Sequence, residues 1–260
     1  MTQRIGILGV GIISSALIRG FCTADSTDMH FYLSPRNAEK AAALAKEFPE
    51  RITVCSSNQD VVDNSDWVFL TLLPAHGEEI LTRLTFRPEQ KILTIMSDHP
   101  TTAVQKWVGP TAKLVRMVPL PFAEQHIGPI AIYPADEEVS TMFAPLGSII
   151  ALEKESEISL ISGLTGLMSA YFLLVHNVVQ WGADQGLPYK ASLDYMTGFF
   201  EALSILARNA KDGDVAKLAY DTTPGGLNEM AYKHLEAKDN FAEWCRALDE
   251  IMERLNASAS

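Results

Sequence analysis

A glycine-rich loop directly after the first strand limits the folds that this chain can adopt. Arg4 to Val10 is an apolar segment typical of a buried strand, and Ile13 to Phe21 has the periodicity of a helix. The loop between them, Gly9-Val10-Gly11-Ile12-Ile13-Ser14, matches the pattern G-x-G-x-x-G except that serine replaces the third glycine. Such a loop makes a tight turn, brings its backbone close to a pyrophosphate and points helix N-terminal amides at it. The residues predicted to contact a dinucleotide are Gly9, Gly11, Ile12 and Ile13; the alternative is a loop that binds nothing.

Short apolar strands alternate with helical patterns over the first half of the chain, which predicts parallel βαβ units. Trp67 to Leu73 and Lys91 to Met96 are nearly continuous apolar runs, as in strands buried on both faces. Segments 114–118, 130–133 and 149–152 could extend the sheet. After the charged stretch 153–157 the strand signals stop, and helical patterns follow. We predict an α/β fold: an N-terminal Rossmann domain with a mostly parallel, doubly wound sheet (1–154) and an all-α dimerisation and substrate domain (155–260).

The end of the second strand bears on the choice of cofactor. It reads Leu33-Ser34-Pro35-Arg36-Asn37, without the carboxylate that binds the ribose 2′-hydroxyl of NAD. Ser34 and Arg36 therefore favour the 2′-phosphate of NADP, although NAD stays open and the segment also reads as a helix start. Ligands of open α/β sheets bind outside the carboxyl ends of the strands. Further cofactor contacts are accordingly predicted at Leu73, Pro74 and Ser97.

Composition excludes several other classes of protein. The chain has 21 basic and 32 acidic residues, a net charge of −11, which disfavours nucleic acid as a partner. Its three cysteines make no C-x-x-C pair, and its N-terminus has no signal-type pattern, so we predict a cytoplasmic location.

His76, His99 and His126 are expected in loops on the cofactor side of the sheet. Their spacing is not that of metal ligands, and no metal is predicted. Leu164 to Val179 is broken by polar residues, and we expect it to pack against a second copy of the chain rather than to cross a membrane.

Three motifs resemble those of one enzyme family, the pyrroline-5-carboxylate reductases. Thr222-Thr223-Pro224-Gly225-Gly226-Leu227-Asn228-Glu229 resembles the family motif Ser/Thr-Pro-Gly-Gly-x-Thr. The run 165–171, followed by Gly186-Leu187-Pro188, resembles its Ser-Gly-Ser-Gly-Pro-Ala-Tyr helix start and Gly-Leu-Pro turn. Val115-Arg116-Met117-Val118-Pro119 is similar to its Val-Arg-Val-Met-Pro strand. The order and spacing of the motifs hold over nearly the whole chain.

The resemblance implies a Rossmann domain, a helical domain that forms a homodimer or a larger oligomer, and reduction of 1-pyrroline-5-carboxylate to proline by NAD(P)H. The chemistry of Pro-Gly-Gly independently suggests an anion site. Thr222 or Thr223 can cap a helix, and Pro224 suits its first turn. The helix-start amides would then be free to bind an anionic group. The substrate-binding residues predicted here are Gly225, Gly226, Leu227 and Asn228; the alternative is a capped helix without a ligand.

The departures from the family are concentrated at the site. Asn228 stands where the family has threonine, and asparagine is a poor proton source. Apolar residues occupy polar positions of the family at 120–122 and 72–73, which predicts a bulkier or less polar imine. His176 shares a helical face with Gln180 and is either a proton donor or a hydrogen-bonded histidine of a dimer core. The catalytic candidates are Asn228, Thr223 and His176.

Two other functions stay open. A β-hydroxyacid-type dehydrogenase shares the two-domain plan, but its lysine on the first long helix of the second domain has no counterpart within 164–185. The loss of polar site residues also leaves open a protein that binds NADP without turnover, such as a sensor.

Overall fold

The structure is a computed structural model that describes residues 2–25, 28–111 and 113–259. Its strands are β1 (Gln3–Leu8), β2 (Met29–Leu33), β3 (Ile52–Val54), β4 (Trp67–Leu70), β5 (Lys91–Thr94), β6 (Lys113–Val118), β7 (Pro129–Tyr133) and β8 (Ser148–Ala151). Its α-helices are α1 (Ile12–Thr23), α2 (Ala38–Glu47), α3 (Asn58–Asp63), α4 (Gly77–Leu81), α5 (Thr101–Val108), α6 (Glu137–Phe143), α7 (Glu155–Leu164), α8 (Met168–Asp184), α9 (Tyr189–Arg208), α10 (Val215–Tyr220), α11 (Leu227–Glu236) and α12 (Asn240–Ala259). Short 3-10 turns lie at Pro74–His76, Pro121–Gln125, Ala144–Leu146, Thr165–Leu167 and Lys211–Gly213.

The strands form an eight-stranded sheet in the order β3-β2-β1-β4-β5-β6-β7-β8. β1 to β6 are parallel, β7 is antiparallel to β6, and β8 is parallel to β7. This confirms the predicted mostly parallel sheet, and the three late segments are β6, β7 and β8. The order of the first six strands is that of a Rossmann sheet, in which the strand order reverses between β1 and β4. The carboxyl ends of β1 and β4 therefore define the expected ligand crevice.

Strand β4 shows why helices cover both faces of the sheet. Trp67 and Phe69 belong to one buried apolar cluster, whereas Val68 and Leu70 belong to another. Successive side chains of a strand point to opposite faces, so β4 is apolar on both. The sheet can therefore bury both faces only between two layers of helices, as the apolar strand runs predict.

The chain forms two compact units, one of residues 1–162 with 254–260 and the other of residues 163–253. The first turns of α7 belong to the sheet unit, because Ile158 is fully buried and Glu155 lies beside Arg116. The sequence predicts the domain boundary after residue 154, and that position stays a prediction.

The second unit contains the pair α8 and α9. Gly186, with φ of +102°, lies in the turn between them, as the Gly-Leu-Pro sequence predicts. The helices approach where Gly182 meets Ser192, whose hydroxyl donates to the carbonyl of Val179 at 3.0 Å. Many apolar side chains of both helices are nevertheless exposed in the single chain. By length and composition, the helical run 155–184 could cross a membrane, because it contains an 18-residue window with a mean hydropathy of 1.9.

Candidate functional site

The backbone of the loop after β1 requires glycine at its first position. Gly9 has φ of +103°, and a Cβ built there would lie 2.6 Å from the carbonyl oxygen of Thr71. Gly11 differs, because it has ordinary extended backbone and a Cβ there would meet nothing within 4 Å. Gly9 is therefore needed to build the loop, whereas Gly11 leaves open space on its outer side. That space is where the pattern places a pyrophosphate.

Three serine side chains hold the loop in place. The Ser14 hydroxyl accepts from the Gly11 amide at 2.7 Å and donates to the Gly9 carbonyl at 2.9 Å. The Ser15 hydroxyl donates to the Gly11 carbonyl at 2.6 Å. The buried Ser34 hydroxyl accepts from the Gly9 amide at 2.9 Å. Serine at the third glycine position thus hydrogen-bonds to both ends of the loop. The first amides of the helix, those of Ile12 and Ile13, have no acceptor within the helix.

The loop forms one wall of a 590 Å³ cavity at the carboxyl ends of β1, β2 and β4. Arg36 lies on its wall with an exposed side chain that makes no ion pair or hydrogen bond in the described part of the chain. Asn37 fixes this segment, since its amide donates to the Val10 carbonyl at 3.0 Å. Ser34 stabilises the loop through its hydrogen bond with the Gly9 amide, and its contact with a 2′-phosphate stays a prediction. Glu39, which no sequence motif marked, also lines the cavity.

Leu73 continues the wall of the cavity and is largely exposed. Pro74 follows it, and the carbonyl of Pro74 accepts a hydrogen bond from the His99 Nε2 at 3.0 Å. Ser97 lies in the loop after β5, where its hydroxyl donates to Asp98 at 2.7 Å. The loops after β4 and β5 are therefore joined by the His99–Pro74 contact. Pro74 and Ser97 do not line the cavity, and their contacts with a cofactor stay predictions.

His126 lies elsewhere, and its predicted place on the cofactor side is wrong. Its Nε2 lies 2.9 Å from the Gly20 carbonyl and 3.2 Å from the Thr23 hydroxyl, at the end of α1 far from the glycine loop. His126 lies there because the turn Pro121–Gln125 packs closely on α1. A Cβ built at Gly20 would lie only 2.6 Å from the Ala123 carbonyl oxygen. Within the described residues, no group of three or more His, Cys, Asp or Glu side chains is arranged to hold a metal ion.

Arg116, which the family motif contains, is a second feature missed by the sequence analysis. It lies near the end of β6, and only 4% of its side chain is exposed. Its guanidinium donates to the Ser97 carbonyl and, at 3.4 Å, to the Ser159 hydroxyl, while Glu155 lies 3.7 Å away. Desolvation lowers the pKa of Arg116 below its ordinary value, although Glu155 and Asp98 oppose this change. Arginine nevertheless stays charged in proteins. Through its contacts with Ser97 and with Glu155 and Ser159, this side chain joins the loop after β5 to the start of α7.

The Pro-Gly-Gly segment forms the predicted turn before α11. Gly225 has φ of +72°, and Gly226 is the N-cap residue of the helix. The predicted free amides are partly used within the chain, which corrects the expectation for two of them. The Gly226 amide donates to the Thr223 carbonyl at 2.9 Å, and the Gly225 amide donates to the Glu229 carboxylate at 2.5 Å. Leu227, the first helical residue, has a highly exposed side chain.

The three catalytic candidates lie on two elements of the second unit. Thr223 and Asn228 are exposed on the turn and on the first turn of α11. His176 is exposed on α8, while its predicted neighbour Gln180 donates to Asp184 at 2.8 Å. No hydrogen bond of the described residues joins His176 to Thr223 or Asn228. Their catalytic roles stay predictions.

The glycine loop, its cavity and the strand order define a Rossmann-type dinucleotide-binding protein. Residues 4–97 match the family described as NADP oxidoreductase, coenzyme F420-dependent. Over 266 residues the chain is 26% identical to pyrroline-5-carboxylate reductase of Pseudomonas aeruginosa, covering 97% of this chain and 96% of that protein. It is 25% identical to pyrroline-5-carboxylate reductase of Glycine max, with coverages of 90% and 88%.

Solved structures show the same fold. The 1-pyrroline-5-carboxylate reductase of Streptococcus pyogenes matches with a TM-score of 0.85 at 21% identity, covering 98% of this chain and 99% of that one. Plasmodium falciparum pyrroline carboxylate reductase with NADP bound matches with a TM-score of 0.83 at 18% identity, with coverages of 99% and 98%. The chain is thus similar over nearly its whole length to pyrroline-5-carboxylate reductases, in sequence and in fold.

Proposed function

We propose that the chain is an NAD(P)H-dependent reductase of a carbon–nitrogen double bond, acting on a small cyclic imine of the pyrroline type. The observation that carries the proposal is the relation to pyrroline-5-carboxylate reductases over 97% of the chain, which includes both the glycine loop and the Pro-Gly-Gly turn. Proteins that share a fold can differ in function, and the residues of the site decide which reaction is catalysed.

The cavity beside the glycine loop fits a dinucleotide. Gly11 leaves its outer side open, and the amides of Ile12 and Ile13 start a helix. Arg36 lines the cavity with an exposed side chain, which suits a phosphate. Leu73 and Pro74 would border the nicotinamide end, with Ser97 in the adjoining loop. A bound NAD(P)H supplies the hydride.

At the substrate, the polar groups of Thr223 and Asn228 would hold the imine nitrogen end. A cyclic imine can bind already protonated, so the amide of Asn228 needs only to orient the substrate rather than to donate a proton. His176 is the candidate proton donor for an imine that binds unprotonated.

The proposal is tested by following NADPH and NADH oxidation by purified protein with 1-pyrroline and with 1-pyrroline-5-carboxylate. Turnover of either imine supports the proposal. Tight NADPH binding without oxidation by any pyrroline would favour a sensor, and oxidation of β-hydroxyacids with NADP⁺ would favour the dehydrogenase alternative.

Arg36→Ala tests the preference for NADP over NAD. We expect the Kd of NADPH to rise by about tenfold to a hundredfold, because a hydrogen bond to a charged group contributes about 1.5–3 kcal/mol, while the Kd of NADH changes little. Lys40→Ala, which removes the same charge one turn further along α2, is the control. Equal weakening of both cofactors in Arg36→Ala would contradict a role at the 2′-phosphate.

We also propose that the protein is a homodimer or larger oligomer that covers the apolar surface of α8 and α9. In the single chain, Phe172 and Leu173 of α8 are each more than half exposed, as is Leu206 of α9. Exposed apolar patches of this kind mark interaction surfaces. The polar residues His176, Asn177 and Gln180 within α8 favour a protein partner over lipid.

Oligomerisation is tested by replacing Phe172 and Leu173 with glutamate. We expect the native protein to sediment as a dimer or larger species without detergent and the double variant to sediment as a monomer. Gln185→Glu, which adds a charge just after α8, should leave the assembly intact. A native monomer, or recovery only from membranes, would contradict the proposal.

A cytoplasmic location agrees with the free thiols of the cysteines. Burial raises the pKa of Cys22 and of Cys55 to about 11, so both thiols stay protonated and unreactive near neutral pH. Cys245 is exposed and free. The net charge of −11 still disfavours nucleic acid as a partner.

A further inference from the structure

The turn that should bind an anionic substrate group already holds a carboxylate of the chain itself. Glu229 lies in the first turn of α11, and its Oε2 accepts the Gly225 amide at 2.5 Å. Its Oε1 accepts from the Lys233 ammonium at 2.5 Å. Only 22% of the Glu229 side chain is exposed. The carboxylate is thus held between the turn and a cation one helical turn further on.

Two of the backbone amides that would otherwise attract a substrate carboxylate, and a neighbouring cation, are already used within the chain. The Gly225 amide is taken by Glu229, and the Gly226 amide is taken by the Thr223 carbonyl. Lys233, one turn further along the same helix, is paired with the same glutamate. Hydrogen bonds from Lys233 and from the Gly225 amide hold the pKa of Glu229 below its ordinary value, so the group is ionised at neutral pH. A second carboxylate brought to this turn would meet a like charge.

We propose that Glu229 restricts the substrate of this site to cyclic imines that carry no carboxylate. The inference rests on the proposed reduction of a carbon–nitrogen double bond and specifies its substrate class. The neighbouring surface agrees with it, because Leu227 and Met230 present largely exposed apolar side chains beside the turn. A ring without a carboxylate, such as 1-pyrroline, needs no anion site, whereas 1-pyrroline-5-carboxylate does.

Glu229 also has a structural position, since a glutamate three residues after an N-cap commonly accepts a backbone amide there. A purely structural role of Glu229 and a role in specificity predict different effects of its substitution on stability and on kcat/KM. Loss of the cap alone would lower stability and affect all substrates alike. A role in specificity changes the ratio of two substrates that differ only in the carboxylate.

The test compares kcat/KM for 1-pyrroline and for 1-pyrroline-5-carboxylate in the native protein, in Glu229→Gln and in Glu236→Gln. Glutamine keeps an oxygen that can accept the Gly225 amide, so the turn is preserved while the charge is lost. Glu236→Gln makes the same charge change about two turns further along α11. Thermal unfolding of each variant shows whether it is folded.

We expect the native protein to have at least tenfold higher kcat/KM for 1-pyrroline than for the carboxylate. Glu229→Gln should narrow that ratio by at least tenfold through a lower KM for the carboxylate, and Glu236→Gln should leave the ratio unchanged. A native preference for the carboxylate, or an unchanged ratio in Glu229→Gln, would overturn the inference while leaving imine reduction intact. If neither imine is reduced by any variant, the proposed function itself fails.

Discussion

Gly9→Ala is expected to lower the free energy of unfolding of the ligand-free protein by about 3 kcal/mol. The residue has φ of +103°, which is strained for any residue with a Cβ, and the new methyl would lie 2.6 Å from the Thr71 carbonyl oxygen. Neither the strand end that carries Thr71 nor the Gly9 backbone can move without breaking β1–β4 pairing. For a protein of this size the loss corresponds to a fall in Tm of roughly 10 °C.

Gly11→Ala is the matched control, because it makes the same chemical change two residues away. Its backbone is extended, and a Cβ there meets nothing within 4 Å, so unfolding should be unchanged within about 0.5 kcal/mol. NADPH binding should weaken by tenfold or more, since the methyl would occupy the space reserved for the pyrophosphate. If Gly9→Ala were as stable as Gly11→Ala in urea denaturation, the assigned loop conformation would be wrong.

Arg116→Met is expected to destabilise the protein by about 3 kcal/mol. Removing one partner of a buried ion pair leaves the other charge uncompensated, which typically costs about 3–5 kcal/mol. Here Glu155 is 28% exposed and keeps two hydrogen bonds from Thr101, so we expect the lower end of this range. Urea denaturation of the ligand-free protein measures the change.

The exposed pair Arg4 and Asp66 provides the comparison. Both side chains are about half exposed, and such pairs contribute roughly 0–1 kcal/mol. Arg4→Met should therefore change stability much less than Arg116→Met. Adding Glu155→Gln to Arg116→Met should restore part of the loss, because it removes the uncompensated carboxylate. Equal effects of the two arginine variants would show that Arg116 does not join these elements.

The sequence predicts best those features that depend on local patterns. Apolar strand runs with intervening helices led to the correct mostly parallel sheet, because a strand buried on both faces leaves a distinctive run. Gly9 was found because a tight turn after a strand needs a residue that tolerates positive φ. Short helices such as α3 and α5 were not predicted, since six or eight residues carry too little periodicity to be recognised.

The side chains that shape the site were harder to predict, because their partners are distant in sequence. Arg116 meets Ser159 over 43 residues, and Thr101 meets Glu155 over 54. Ser34 reaches the Gly9 amide over 25 residues, so its sequence position suggested a phosphate contact rather than support for the loop. Glu229 did leave a local signal, a glutamate three residues after the N-cap, which indicates that it could take a backbone amide from the turn.

The central claim is that this protein transfers hydride to a carbon–nitrogen double bond. The most direct measurement is the mass of the amine formed from 1-pyrroline and NADPH that carries deuterium on the hydride position of its nicotinamide ring. We predict pyrrolidine with one carbon-bound deuterium, formed in step with oxidised cofactor. Tight NADPH binding with no deuterated amine from 1-pyrroline or from 1-pyrroline-5-carboxylate would contradict the account.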